Sequence, residues 1–271
     1  MREKMAFIGA GSMAESILTG ILNSGFLPKE QIYVTNKSDK ERLTFLKKQY
    51  AVQNIDNKEK AVDGANIIVI AVKPYDLEAA VASIRDHLTA DQLLISVAAG
   101  VSTDTISQLI GKAMPVIRAM PNTSSAAGQS ATAVTRGEFA TDEHLQTAMD
   151  LFNTIGTATE VDEADMHTVT AISGSGPAYV YYLVEAMESA AVEAGLDQDT
   201  AHNLITQTIV GAGEMLKTSG LNPNKLRENI TSPGGTTQAG LEMLSSHNFQ
   251  EAVVTCVERA RERSIELGKK L

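Results

Sequence analysis

The sequence predicts an α/β fold: a doubly wound parallel sheet with helices on both faces, followed by an all-helical domain. Three observations predict it. Short, nearly continuous apolar runs alternate with amphipathic stretches through the first half of the chain, as strands buried on both faces of a parallel sheet do. A glycine-rich turn, Gly9-Ala10-Gly11, ends the first of these runs and opens a helical period. From about Asp165 onward helical periods dominate and strand signals all but vanish.

The elements follow in order. Met5–Ile8 is a buried strand, and residues 12–23 form a helix closed by Gly25 at its C-terminal cap position. Ile32–Thr35 is a second strand, followed by a charged helix over residues 39–49 and a short strand near Val52. Residues 66–72 are the clearest strand, ended by Pro74, and residues 93–97 and 115–120 supply two more. In the second half, residues 179–194, 200–216 and 249–267 are helices. The change of pattern at residues 160–165 carries no Pro/Gly-rich linker. It gives a sheet domain over residues 1–162 and a helical domain over residues 163–271.

Composition narrows the function classes. Of 271 residues, 43% are hydrophobic, enough for a core and too many for a disordered chain. A formal net charge of −10 without a long basic run excludes a nucleic-acid footprint, while a local pocket can still hold a small anion. The single cysteine, Cys256, forms no intramolecular disulfide, suits a reducing compartment and is expected buried in a helix. Met5–Ile8 is far too short for a secretory core or a membrane span, so a cytoplasmic protein free of membranes is expected. The five histidines show no metal-ligand spacing; His167, His202 and His247 are read as structural, and no metal is expected.

Gly9-Ala10-Gly11-Ser12-Met13-Ala14 fits G-x-G-x-x-A between a strand and a helix, the context that identifies a dinucleotide-binding turn of Rossmann type. Gly9 permits the tight turn, Gly11 lets backbone approach a pyrophosphate, and Ala14 lets helix and strand pack closely. The helix N-terminus presents N–H groups to the anion. Where an NAD site places an acid after the second strand, this chain has Asn36, Lys37 and Ser38. Donors in place of a carboxylate favour a 2′-phosphate, hence NADPH; Asp39, slightly further on, leaves NADH as the less preferred alternative. Ala71-Val72-Lys73-Pro74, residues 96–100 (with Ala99) and residues 118–123 end strands where a parallel sheet binds ligands, although Lys73 and Arg118 read equally well as surface charge.

Two motifs stand out in the helical half. Ser173-Gly174-Ser175-Gly176-Pro177 precedes a long apolar helix as a flexible entry or a close backbone approach. Ser232-Pro233-Gly234-Gly235-Thr236-Thr237 precedes another helix. Its free N–H groups and two hydroxyls can hold a carboxylate through backbone donors and the helix dipole.

G-A-G-S-M-A, A-V-K-P, S-G-S-G-P-A-Y and S-P-G-G-T-T together resemble, in order and spacing over nearly the whole chain, the pyrroline-5-carboxylate reductase family. The last motif is the most diagnostic. The resemblance implies a Rossmann domain followed by an all-α dimerisation domain, and the reduction of 1-pyrroline-5-carboxylate to L-proline with NADPH, or less readily NADH, the last step of proline biosynthesis. It implies homodimers with interlocked helical domains that can assemble into rings. It places cofactor contacts at Ile8, Gly9, Ala10, Gly11, Ser12, Met13, Asn36, Asn57, Ala71, Val72, Lys73, Pro74, Ala99 and Asn229, and substrate contacts at Glu163, Ser232, Thr236 and Thr237. Thr237 is the expected hydroxyl contact to the ring nitrogen. A protonated imine accepts hydride readily, so no side-chain acid is required, and Glu163 can favour the positive charge. Three other functions compete: an imine reductase with another substrate, a β-hydroxyacid dehydrogenase, for which residues 172–194 offer no catalytic lysine, and a non-catalytic NADP sensor, against which the intact 232–237 loop argues.

Overall fold

In a computed structural model of the protein the described residues are 4–268. Strands β1 (Met5–Ile8), β2 (Ile32–Thr35), β3 (Gln53–Asn54), β4 (Ile67–Ile70), β5 (Leu93–Ser96), β6 (Val116–Met120), β7 (Ser130–Arg136) and β8 (Gly156–Glu160) form one sheet in the order β3-β2-β1-β4-β5-β6-β7-β8. Every pairing is parallel except β6 with β7. The order reverses at β1, whose neighbours are β2 and β4. That is the switch point at which ligands bind in doubly wound sheets.

Alternation along β1 explains the two layers. Met5 and Phe7 join one core, with Ile17, Leu18 and Ile21 of α1 (Ser12–Ser24) and Leu151 and Phe152 of α6 (Asp142–Asn153). Ala6 and Ile8 join the other, with Val62 of α3 (Lys58–Val62), Leu77 and Val81 of α4 (Leu77–Ala82) and Ile106 and Ile110 of α5 (Thr103–Ile110). Each fully buried side chain of this size contributes about 1.5–3 kcal/mol. Helix α2 (Lys40–Tyr50) adds Leu43 and Leu46 to the first core.

The sequence does not announce β7, α6 or β8. Ser-Ala-Thr-Ala-Val-Thr-Arg and Gly-Thr-Ala-Thr-Glu lack an apolar run, and they are strands because β6 and then β7 offer edges to pair with. Only residues 121–129, with a short 3₁₀ turn at Thr123–Ala127, separate β6 from β7. That is too little chain for a parallel crossover, so the pair is antiparallel.

The described chain divides into two compact units, residues 4–175 with 258–268, and residues 176–257. Residues 163–175, with α7 (Met166–Val169), therefore group with the sheet, where Met166 and Ala171 are fully buried. The second unit holds α8 (Gly176–Glu193), α9 (Gln198–Thr218), α10 (Pro223–Asn229), α11 (Thr236–Ser246) and residues 249–257 of α12 (Phe249–Gly268). Gly195 (φ 101°) turns the chain between α8 and α9, Asp197 caps α9, and His202 pairs with Glu188 at 2.8 Å between the two helices. Cys256 is exposed rather than buried.

Candidate active site

A cleft of about 1130 Å³ opens above the carboxyl ends of the strands in the first unit. Ile8, Gly9, Ala10, Gly11, Ser12 and Met13 form one wall, Ala71, Val72, Lys73 and Pro74 another, and Asn36, Lys37 and Ala99 also line it. Ser38 and Asn57 are exposed and outside the lining; the Asn57 side chain accepts from Lys60 N at 3.0 Å and caps α3.

The glycine turn has the shape a dinucleotide needs. Gly9 has φ 108°, and a Cβ there would stand 2.3 Å from Ala71 O. Among the described residues a Cβ on Gly11 would meet nothing within 4 Å, so the turn is open on that side. The first-turn N–H groups of α1 face that space without a side-chain cap. These residues fit an adenine dinucleotide with its pyrophosphate at this turn.

Arg42 locks the turn, a role the sequence did not single out. Its Nε donates to Ala10 O at 2.8 Å, another guanidinium nitrogen pairs with Glu15 Oε2, and Tyr50 donates to Glu15 Oε1 at 2.8 Å. Asp39 is committed as the cap of α2, accepting from Arg42 N at 2.8 Å, so its Oδ1 is occupied by the backbone. Asn36 Oδ1 accepts from Lys37 N at 2.6 Å.

Residues 170–174, which lead into the Ser173–Pro177 motif, approach the cleft closely through their backbone at Gly174. Thr170–Gly174 forms a π-turn, with Ser175 N donating to Thr170 O at 2.9 Å. Asn122 Nδ2 donates to Ser173 O at 3.0 Å, and Gly174 reaches the cleft, where a Cβ would stand 2.6 Å from Met120 Cε.

Arg118, which reads from sequence as cleft lining or surface charge, is neither. Its side chain is 0% exposed, it is absent from the cleft wall, and it donates Nη1 to Glu163 Oε1. Glu163 Oε2 accepts from Thr103 Oγ1 at 3.0 Å and Thr103 N at 3.2 Å. Burial lowers the Arg118 pKa, and the Glu163 carboxylate opposes that shift. Burial, then Arg118 and Arg261, lower the pKa of His167, with Glu163 opposing; His167 Nδ1 lies 2.9 Å from Ser264 Oγ.

The 232–237 loop belongs to the second unit, as does Asn229 at the end of α10. Gly234 (φ 72°) takes the left-handed backbone, and Gly235 (φ −83°) does not. Gly235 N donates to Ser232 O at 3.0 Å and Gly234 N to Gln238 Oε1 at 2.8 Å. No side chain caps α11 at Gly235. The N–H groups at Thr236 and Thr237 are therefore free for an anion.

Residues 163–267 match the family model described as pyrroline-5-carboxylate reductase dimerisation, and residues 4–100 match one described as NADP oxidoreductase, coenzyme F420-dependent. A pyrroline-5-carboxylate reductase 2 of Bacillus subtilis is 48% identical over 265 residues, 98% of this chain and 95% of that protein. A solved structure of a Coxiella burnetii pyrroline-5-carboxylate reductase superposes with a TM-score of 0.91 at 34% identity, covering 98% of this chain and 99% of that one. A Plasmodium falciparum pyrroline carboxylate reductase with NADP bound gives 0.89 at 32% identity over 98% of each chain.

Proposed function

The chain belongs to the pyrroline-5-carboxylate reductase family, and from that premise we propose that it reduces 1-pyrroline-5-carboxylate to L-proline with NADPH, NADH serving less well. The observation that carries this function is the likeness along 98% of the chain to a reductase of that name. When bound, the nicotinamide supplies the hydride. The chain's own task is binding and orientation. Gly9 to Met13 hold the pyrophosphate. The N–H groups of Thr236 and Thr237, with the Ser232 hydroxyl, hold the substrate carboxylate, and the Gly234–Gly235 turn, whose own N–H groups are bonded within the loop, lines the substrate and sets their direction. The Thr237 hydroxyl meets the ring nitrogen and orients the iminium. Glu163, held in place by Arg118 and Thr103, is assigned to the substrate side, and Asn229 to the cofactor. Residues 1–162 form the cofactor domain in this account, and residues 163–271 the dimerisation and substrate domain.

Two variants test the substrate loop. Thr237→Ala removes one hydroxyl and is expected to cost about 1–3 kcal/mol in kcat/KM for the imine, the range for a hydrogen bond to a polar or charged partner. Gly235→Val is expected to cost more, because its Cβ would press Ser232 O at 3.1 Å and its branches would crowd the anion. Affinity for NADPH should hardly change in Thr237→Ala. Wild-type kcat/KM in both variants would remove the loop from the substrate site.

The second unit also supports a homodimer, with rings as the higher assembly. Tyr182 (77% exposed), Ile230 (69%) and Met243 (60%) are large apolar side chains in water, a density that marks an association surface. Light scattering is expected to give an even-numbered oligomer as the active species; an active monomer at low concentration would contradict it. Among the described residues no helix is long and apolar enough to cross a membrane. A cytoplasmic site of action fits the lone free thiol of Cys256.

A further inference from the structure

The cations along the cleft beyond β2 differ in what neutralises them. β2 and β3 run parallel with Val34 opposite Asn54, and Ile55 N donates to Val34 O at 3.2 Å. The chain leaving β3 thus rises beside the chain leaving β2. Asn36 and Lys37 line the cleft from one segment and Lys58 from the other. With the pyrophosphate at the turn after β1, the adenosine ribose of a dinucleotide falls on this β2 side.

Lys37 is 73% exposed, and its Nζ lies 3.2 Å from Asp76 Oδ1. Asp76 also lines the cleft. That carboxylate offsets the ammonium charge and opposes an incoming anion. The Arg42 guanidinium is paired with Glu15. Lys58 is half-buried, and the partner of its Nζ is the neutral Ser83 Oγ at 3.3 Å, which donates its own proton to Ala80 O at 2.7 Å. Among the described residues no carboxylate forms an ion pair with Lys58. Among the described residues Lys58 therefore presents its ammonium group to the cleft wall without a carboxylate partner and with donors to spare.

We infer that Lys58, rather than Lys37, is the specificity-determining cation that favours a 2′-phosphorylated adenine dinucleotide over its 2′-hydroxyl counterpart; this rests on the cofactor assignment above. A phosphate gains a charge-assisted hydrogen bond from an uncompensated ammonium, and a hydroxyl gains much less.

The test uses the full-length protein with two probes, 2′,5′-ADP in calorimetric titration and the NADPH/NADH pair in turnover with the imine. Lys58→Met is expected to weaken 2′,5′-ADP binding and to lower the NADPH-to-NADH ratio of kcat/KM by about tenfold or more, the scale of a hydrogen bond to a charged group. Its effect on 5′-AMP, which lacks the 2′-phosphate, should be smaller. Lys58→Arg should retain most of the ratio, and Lys37→Met should lower it less than Lys58→Met does. Thermal melting of each variant separates lost recognition from lost folding. Unchanged 2′,5′-ADP affinity in folded Lys58→Met, or a larger loss in Lys37→Met, overturns the inference. If the wild-type protein turns over neither cofactor with the imine, the proposed function fails, and the 2′,5′-ADP titration alone decides the role of Lys58.

Discussion

Gly9→Ala is expected to lose cofactor binding and stability together. The added Cβ would stand 2.3 Å from Ala71 O and 2.8 Å from Ala71 C, both main-chain atoms, and the φ of 108° is one that L side chains rarely adopt. The neighbours cannot yield cheaply. Gly9 N is bonded to Thr35 O at 3.1 Å and Ala71 N to Ile8 O at 2.9 Å, so relief must spread β1 from β4. Backbone strain and overpacking together should cost about 3 kcal/mol or more. Gly11→Ala supplies the contrast. Gly11 has φ −73° and open space around its Cβ position, so the protein should fold as before. The methyl group would occupy the space read as the pyrophosphate seat, and the KM for NADPH should rise about tenfold, as for a lost hydrogen bond to a charged group. Melting temperatures and NADPH titrations on both variants check the pair. A Gly9→Ala protein with wild-type stability would show that the strands do not constrain this turn.

Glu163→Leu is expected to destabilise the sheet unit by about 3 kcal/mol, the lower end for breaking a buried ion pair. Arg118 is 0% exposed and would lose its charged partner, while the 31% exposure of Glu163 lets water relieve part of the cost. Arg118 Nε and Nη2 already lack partners among the described atoms, so the guanidinium has little to fall back on. The double variant Arg118→Met/Glu163→Leu should recover much of the loss, because neither charge remains to be solvated. Denaturant midpoints for Glu163→Leu, Arg118→Met and the double variant, beside the wild type, form the cycle. Additive losses would mean that the pair is not coupled.

Legibility follows the range of the interactions. β1, β4 and β5 are read from sequence because their apolar runs need no partner to declare them, and the turn after β1 is read from adjacent glycines. β7 and β8 are Thr- and Ala-rich strands specified by pairing across the sheet, which local pattern does not carry. Arg118 reads as possible surface charge because its partner Glu163 lies 45 positions away. Lys37 reads as a phosphate donor because Asp76, 39 positions away, is not yet beside it. Asp39, open as a ribose ligand in the sequence, is a helix cap once α2 forms. The 232–237 loop is recognisable as a motif, yet which of its glycines turns left-handed is settled only by the backbone.

Reduction of the cyclic imine consumes one nicotinamide cofactor for each imino acid formed. The most direct measurement incubates the purified full-length protein with NADPH and 1-pyrroline-5-carboxylate and follows cofactor oxidation and proline together. Imine-dependent oxidation of NADPH with an equimolar appearance of L-proline is the predicted result. A folded protein that binds NADPH but forms no proline would contradict it.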